Sequence, residues 1–150
     1  PFVVEGVGDD AKNVPVYPDV DEEVNVSANT ISMLKREDEL VKIFHGVKTL
    51  EYDLALYEEN RPVMISALAE LHPLIAKSLE AEVTATVSNK DKAKVLFCGM
   101  FERGKGKANV QKGRYAQVLA QAVADDGADF KVPDYIKNAL QHVCKSKEFI

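Results

Sequence analysis

No run of apolar residues approaches the roughly 18–20 needed to cross a bilayer, so no membrane span is expected. The opening PFVVEGVGDD has no basic stretch ahead of an apolar one and does not read as a secretion signal. Cysteine is scarce. Cys98 and Cys144 each fall in an apolar helical pattern, where a buried free thiol is the usual occupant, so no disulfide is expected. Free thiols favour a reducing compartment, which points to the cytoplasm, or to an assembled virion if the source is viral. Histidine is limited to His45, His72 and His142, far apart and outside any H-E-x-x-H or Cys/His zinc spacing. There is no G-x-S-x-G, and neither cysteine has the context of a nucleophile. Asp125, Asp126 and Asp129 surround Gly127 but lack the alternation of a calcium loop and its closing glutamate. Internal repeats and low-complexity tracts are also missing. These absences leave no catalytic residue, metal or cofactor to expect, and the chain reads as non-enzymatic.

What remains is ordinary globular material. The chain has 150 residues, 46% of them apolar and 29% charged, enough for one core without disulfides or metal. Its net charge of −5 conceals a division between segments. Residues 1–27 carry seven carboxylates against Lys12 alone, whereas residues 90–114 carry eight bases against Asp91 and Glu102. Residues 1–27 also contain Pro1, Pro15 and Pro18 and many valines, a mixture that suits extended backbone or edge-strand material rather than helix.

From Ser27 or Asn29 onward the pattern becomes helical. Ile31, Leu34, Leu40, Val41, Phe44 and Val47 form one stripe, which predicts a first helix running from about residue 28 toward Gly46. Residues 47–59 fit either period; helix is the preferred assignment. Breaks are expected at 60–62, where Asn60-Arg61 precedes Pro62, and at His72-Pro73. Ser88 caps a segment carrying Ala93, Leu96, Phe97, Met100 and Phe101 up to Gly104. A mobile GKGK link should then lead to a helix over Ala108–Ala124 closed by Gly127, and Pro133 should start the last one. The fold class expected is mainly α: a single helical bundle of five to seven short helices over residues 28–150, with an extended acidic arm at 1–27.

Two surfaces are candidates for function. In the basic segment, Lys92, Lys94, Arg103, Lys105, Lys107, Lys112 and Arg114 among flexible glycines suit contact with nucleic-acid backbone phosphates rather than bases; the bland alternative is a solvated loop. In the arm, Phe2, Val3, Val4, Val14, Val16 and Tyr17 supply apolar surface for exchange between subunits, against the alternative of a disordered leader. Gly99–Gly106, GMFERGKG, matches the G-x-x-x-x-G-K core of a phosphate-binding loop, and AKVLFC precedes it like a strand. However, Gly106 stands where that loop needs Ser or Thr for magnesium. The leading expectation is a structural or assembly subunit, a viral or phage virion protein being one form of it. Such a subunit would self-associate through its arm and contact nucleic acid through residues 90–114. The alternative is a small helical adaptor or regulator that binds another protein, and the third is a nucleotide-binding protein using Gly99–Gly106.

Overall fold

A computed structural model describes residues 2–5, 12–20, 22 and 27–145. The arm valines 7, 24 and 26 and the tail residues Phe149 and Ile150 lie outside them. The chain is mainly helical, as its periodicity predicts, with seven helices and one two-stranded sheet among the described residues. It divides into two compact units, one of residues 1–49 with 132–150, the other of residues 50–131. These limits differ from the arm boundary drawn at residue 27.

In the first unit, β1 (Phe2–Glu5) and β2 (Lys12–Pro15) pair antiparallel, with Phe2 opposite Pro15 and Val3 opposite Val14. The helix α1 (Ala28–Leu34) starts where Ser27 accepts the Thr30 N–H, at 3.2 Å, as a serine N-cap should. It ends far short of Gly46, and the reason is local. Asp38 Oδ1 accepts the N–H groups of Leu40 and Val41, while Glu37 Oε1 accepts that of Ile43 at 2.8 Å. These carboxylates offer the backbone a turn in place of the helical ladder. The last helix of this unit, α7, covers Asp134–Lys145, with Pro133 supplying the carbonyl that accepts the Ile136 and Lys137 N–H groups.

The second unit holds the core. Its helices are α2 (Leu50–Ala55), α3 (Asn60–Leu71), α4 (Pro73–Ala85), α5 (Asn89–Phe101) and α6 (Lys112–Asp126). Both prolines act as predicted: Pro62 sits in the first turn of α3, and Pro73 opens α4 after His72 breaks the chain direction. Ser88 caps α5 by accepting the Asp91 N–H at 3.0 Å. The helix α3 packs on α4 and α6, and α5 packs on α2 and α4. At the centre a chain of rings runs from Tyr52 through Phe97 and Phe101 to Tyr115, with neighbouring centroids 5.7–5.8 Å apart. Tyr115 is fully buried and donates its hydroxyl to the Met64 carbonyl at 3.0 Å; burial, with the charge of Glu51 behind it, pushes that phenol's pKa upward.

Helix α2 has only six residues, and its C-terminal carbonyls would be orphans without partners. Three buried or half-buried bonds satisfy three carbonyls in succession. Asn60 Nδ2 donates to Leu54 O at 3.0 Å, Arg61 Nη1 to Ala55 O at 3.0 Å, and Asn89 Nδ2 to Leu56 O at 2.8 Å. Asn60 also clasps Lys131 from both sides, donating to its carbonyl at 2.8 Å and accepting its N–H at 2.6 Å. The sequence "break" at 60–62 is therefore a polar knot that joins both ends of this unit.

Candidate functional site

The structure brings part of the basic segment together: Lys94, Arg103 and Lys107 line one groove between α4 and α5, and the other bases lie elsewhere or are held by partners. Lys92 and Lys94 are two residues apart on α5, roughly 200° around its axis, so they face different sides. Half-buried Lys92 lines a cavity beneath α3 and α4, whereas exposed Lys94 lines the groove between α4 and α5. Lys112 is held by Glu51 of α2, with Nζ 2.8 Å from Oε2, and lies over the rings of Phe97 and Phe101. Arg103 turns back onto its own loop: its N–H donates to Asn109 Oδ1 at 3.0 Å and Nη1 to Ala108 O at 2.9 Å. The GKGK link, expected to be mobile, is thus closed on itself, and buried Val110 ties it to Met100 O at 2.9 Å. Gly104 and Gly106 adopt φ of 81° and 83°, the left-handed region that glycine enters without strain. Lys105, Lys107 and Arg114 are exposed.

The groove between α4 and α5 has a volume of about 850 Å³. Ile75, Leu79 and Val95 give it an apolar floor, and Leu74, 84% exposed, stands on its wall. Cys98 sits on the same floor, half-buried, its thiol 3.8 Å from Glu102 Oε2. The charged side chains lining the groove are of both signs: Glu82, Asp91 and Glu102 against Lys94, Arg103 and Lys107. Three acids beside three bases leave no excess positive potential, so a polyanion gains little there. Both elements approach closely because Gly99 has no side chain; a Cβ at that position would overlap Leu79 Cδ2.

Gly99 also bears on the phosphate-loop motif. AKVLFC, which only the phosphate-loop alternative reads as a strand, is part of α5, as the Ser88 cap and the helical spacing predict, and Gly99 lies inside that helix rather than at the head of a loop. The apolar run obeys the helical period once Ser88 caps it, so the backbone amides of residues 99–101 point along the helix and cannot cradle phosphate. Cys144, expected as a buried thiol, lies in the last turns of α7 and is exposed.

The arm candidates are placed only in part. Val3 is exposed and Val14, its cross-strand partner, is half-buried; for Phe2 and Val4 the backbone alone is described. Lys48 donates from Nζ to Val16 O at 3.3 Å and lies over the Tyr17 ring, 4.2 Å from its centroid. Among the described residues no cluster of His, Cys, Asp and Glu suits a metal ion, and no helix is long and apolar enough to cross a membrane.

The chain matches no family model, no curated protein and no solved structure.

Arg61, which sequence reasoning read only as part of a helix break, is the least expected of the side chains. It is 4% exposed, and Nη1 bonds both Ala55 O and Asn89 Oδ1, the latter at 2.7 Å. No carboxylate among the described residues forms an ion pair with it. Burial pulls its pKa below the ordinary guanidinium value, opposed by the charges of Glu58 and Glu59, and the group remains a cation.

Proposed function

We propose that this chain is a non-enzymatic interaction subunit that binds another protein through the groove between α4 and α5. One observation carries the proposal: an apolar floor with an exposed Leu74 is bordered by charges of both signs. An amphipathic helix is the natural occupant, because apolar residues at i, i+3 or i+4, and i+7 fill such a floor while its flanking acids and bases meet Lys94, Lys107, Glu82 and Asp91. Contact with a nucleic-acid backbone is the second reading. Exposed Lys105, Lys107 and Arg114 favour it, but the capture of Lys112 by Glu51 and of Arg103 by its own loop weakens it.

The test is selection from a displayed library of random 16-residue peptides, followed by affinity measurement on wild type and Leu74→Glu. Enriched peptides should share helical apolar spacing and carry both charges, and Leu74→Glu should weaken them at least about ten-fold, the loss of one buried anchor. Peptides that bind the variant equally well would refute the groove. If instead a mixed-sequence oligonucleotide binds in moderate salt, and Lys105→Ala with Lys107→Ala abolishes it, the second reading replaces the first.

A further inference from the structure

A second cavity, of about 610 Å³, lies under α3, α4 and the start of α5, away from the groove proposed for protein binding. Apolar Ile65, Ala76 and Val83 line it, and Arg61 lies against it. The Arg61 guanidinium has five N–H donors in a planar fork, yet its bonds to the described residues all leave from Nη1. Its Nε and Nη2 make no hydrogen bond to those residues, although neither is sealed from solvent as a buried unsatisfied atom. A buried cation in no ion pair is costly even with the Glu58 and Glu59 charges nearby, and a forked one has a definite complement: two coplanar oxygens carrying negative charge.

We propose that this cavity binds a carboxylate attached to an apolar body, with Arg61 forking the carboxylate oxygens. The charges that line the cavity select among anions. Lys77 and Lys92 join Arg61, and Glu58 and Glu80 oppose them, leaving one positive charge in excess. That balance suits a monoanion and disfavours dianionic phosphate. The apolar wall of Ile65, Ala76 and Val83 gives the rest of the ligand a place that a free small anion would not use. The carboxylate can belong to a small organic acid or to the end of a peptide; the chemistry at Arg61 is the same. Its bond to Ala55 O explains one nitrogen and leaves the other donors without a role.

The experiment uses the full chain and sodium hexanoate at fixed ionic strength and neutral pH. The Nε–H signals of the four arginines are followed by nuclear magnetic resonance and assigned by Arg→Lys variants. The Arg61 signal should move saturably, with a midpoint in the roughly millimolar range expected for so small a ligand. Sodium phosphate should bind at least about ten-fold more weakly, and 1-hexanol should leave the Arg61 signal in place. Arg61→Lys keeps the charge without the fork and should lose about ten-fold in affinity. Lys92→Ala, which leaves the carbonyls of α2 satisfied, should lose roughly three-fold. If Arg61→Lys does not fold, the wild-type titration with its two control ligands still decides. A peptide with a free C-terminal carboxylate, compared with its amide, separates a peptide source from a small acid. No saturable movement of the Arg61 signal by about 50 mM hexanoate would overturn the site. Phosphate binding as tightly as hexanoate would overturn the carboxylate assignment, and equal affinity in Arg61→Lys would overturn the fork.

Discussion

Gly99→Ala sets two effects of known sign against each other. Gly99 lies within α5, where alanine is favoured over glycine by about 1 kcal/mol. Against this, the new Cβ would overlap Leu79 Cδ2 and stand 2.9 Å from Cδ1 and 3.0 Å from Cγ, so every branch of that side chain is hit. Carbon atoms settle at about 3.5–4.0 Å, and overpacking of this kind costs roughly 1–3 kcal/mol. Leu79 borders the open groove and has somewhere to move, which favours the lower half of that range. The net expectation is a loss of about 1 kcal/mol.

The decisive measurement is the same substitution in a Leu79→Ala background. Leu79→Ala alone removes a buried side chain and should cost about 2–3 kcal/mol, the low end for such truncations because the groove lets neighbours collapse inward. With the obstacle gone, Gly99→Ala should become stabilising by about 1 kcal/mol, a coupling of about 2 kcal/mol between the two sites. Urea unfolding followed by circular dichroism reads this as opposite shifts of the midpoint at unchanged slope. Equal destabilisation in both backgrounds would show that the Leu79 contact does not govern the cost. A stabilised single variant would show that α4 and α5 are not held at the distance described.

Asn60→Ala removes three side-chain bonds at once and strands the Lys131 N–H, so it should lower stability by about 2–4 kcal/mol in the same assay; a loss under about 0.5 kcal/mol would mean that the knot is not a determinant. Glu37 is half-buried, and the Ile43 N–H that it accepts, with Lys42 behind it, holds its carboxyl below the ordinary 4.5. A carboxyl lowered in the folded state favours the 37–43 turn above its unfolded value and loses that contribution as pH falls through the folded one. The Ile43 amide shift should therefore titrate with a midpoint below 4.5 and stop titrating in Glu37→Gln; an unmoved wild-type shift between pH 6 and 2 would refute the bond.

Where a boundary depends on one residue's own backbone chemistry, the sequence carries it. Pro62, Pro73 and Ser88 mark helix starts because a missing N–H or a capping hydroxyl acts within one turn. The early end of α1 escaped because Glu37 and Asp38 look like solvated acids until their oxygens are seen on the amides of Ile43, Leu40 and Val41. AKVLFC taken alone fits a buried strand or a helix equally well, and it is the Ser88 cap with the helical spacing of Ala93, Leu96, Phe97, Met100 and Phe101 that makes it legible as α5.

The same distinction between local and distant partners explains the candidate sites. A run of bases between residues 90 and 114 reads as one patch only while the chain is treated as a line. Winding it into α5 sends Lys92 and Lys94 to different cavities, and Glu51, 61 residues away in sequence, takes Lys112. Part of what looked like free positive surface is engaged in contacts within the chain. Arg61 is the converse case: beside Pro62 it looked like a helix break, yet folding buries it against Asn89, 28 residues on, beside a cavity. Charge composition thus could not show which bases have partners within the chain, and it concealed the buried cation, because burial and partnership depend on contacts between residues far apart in the chain.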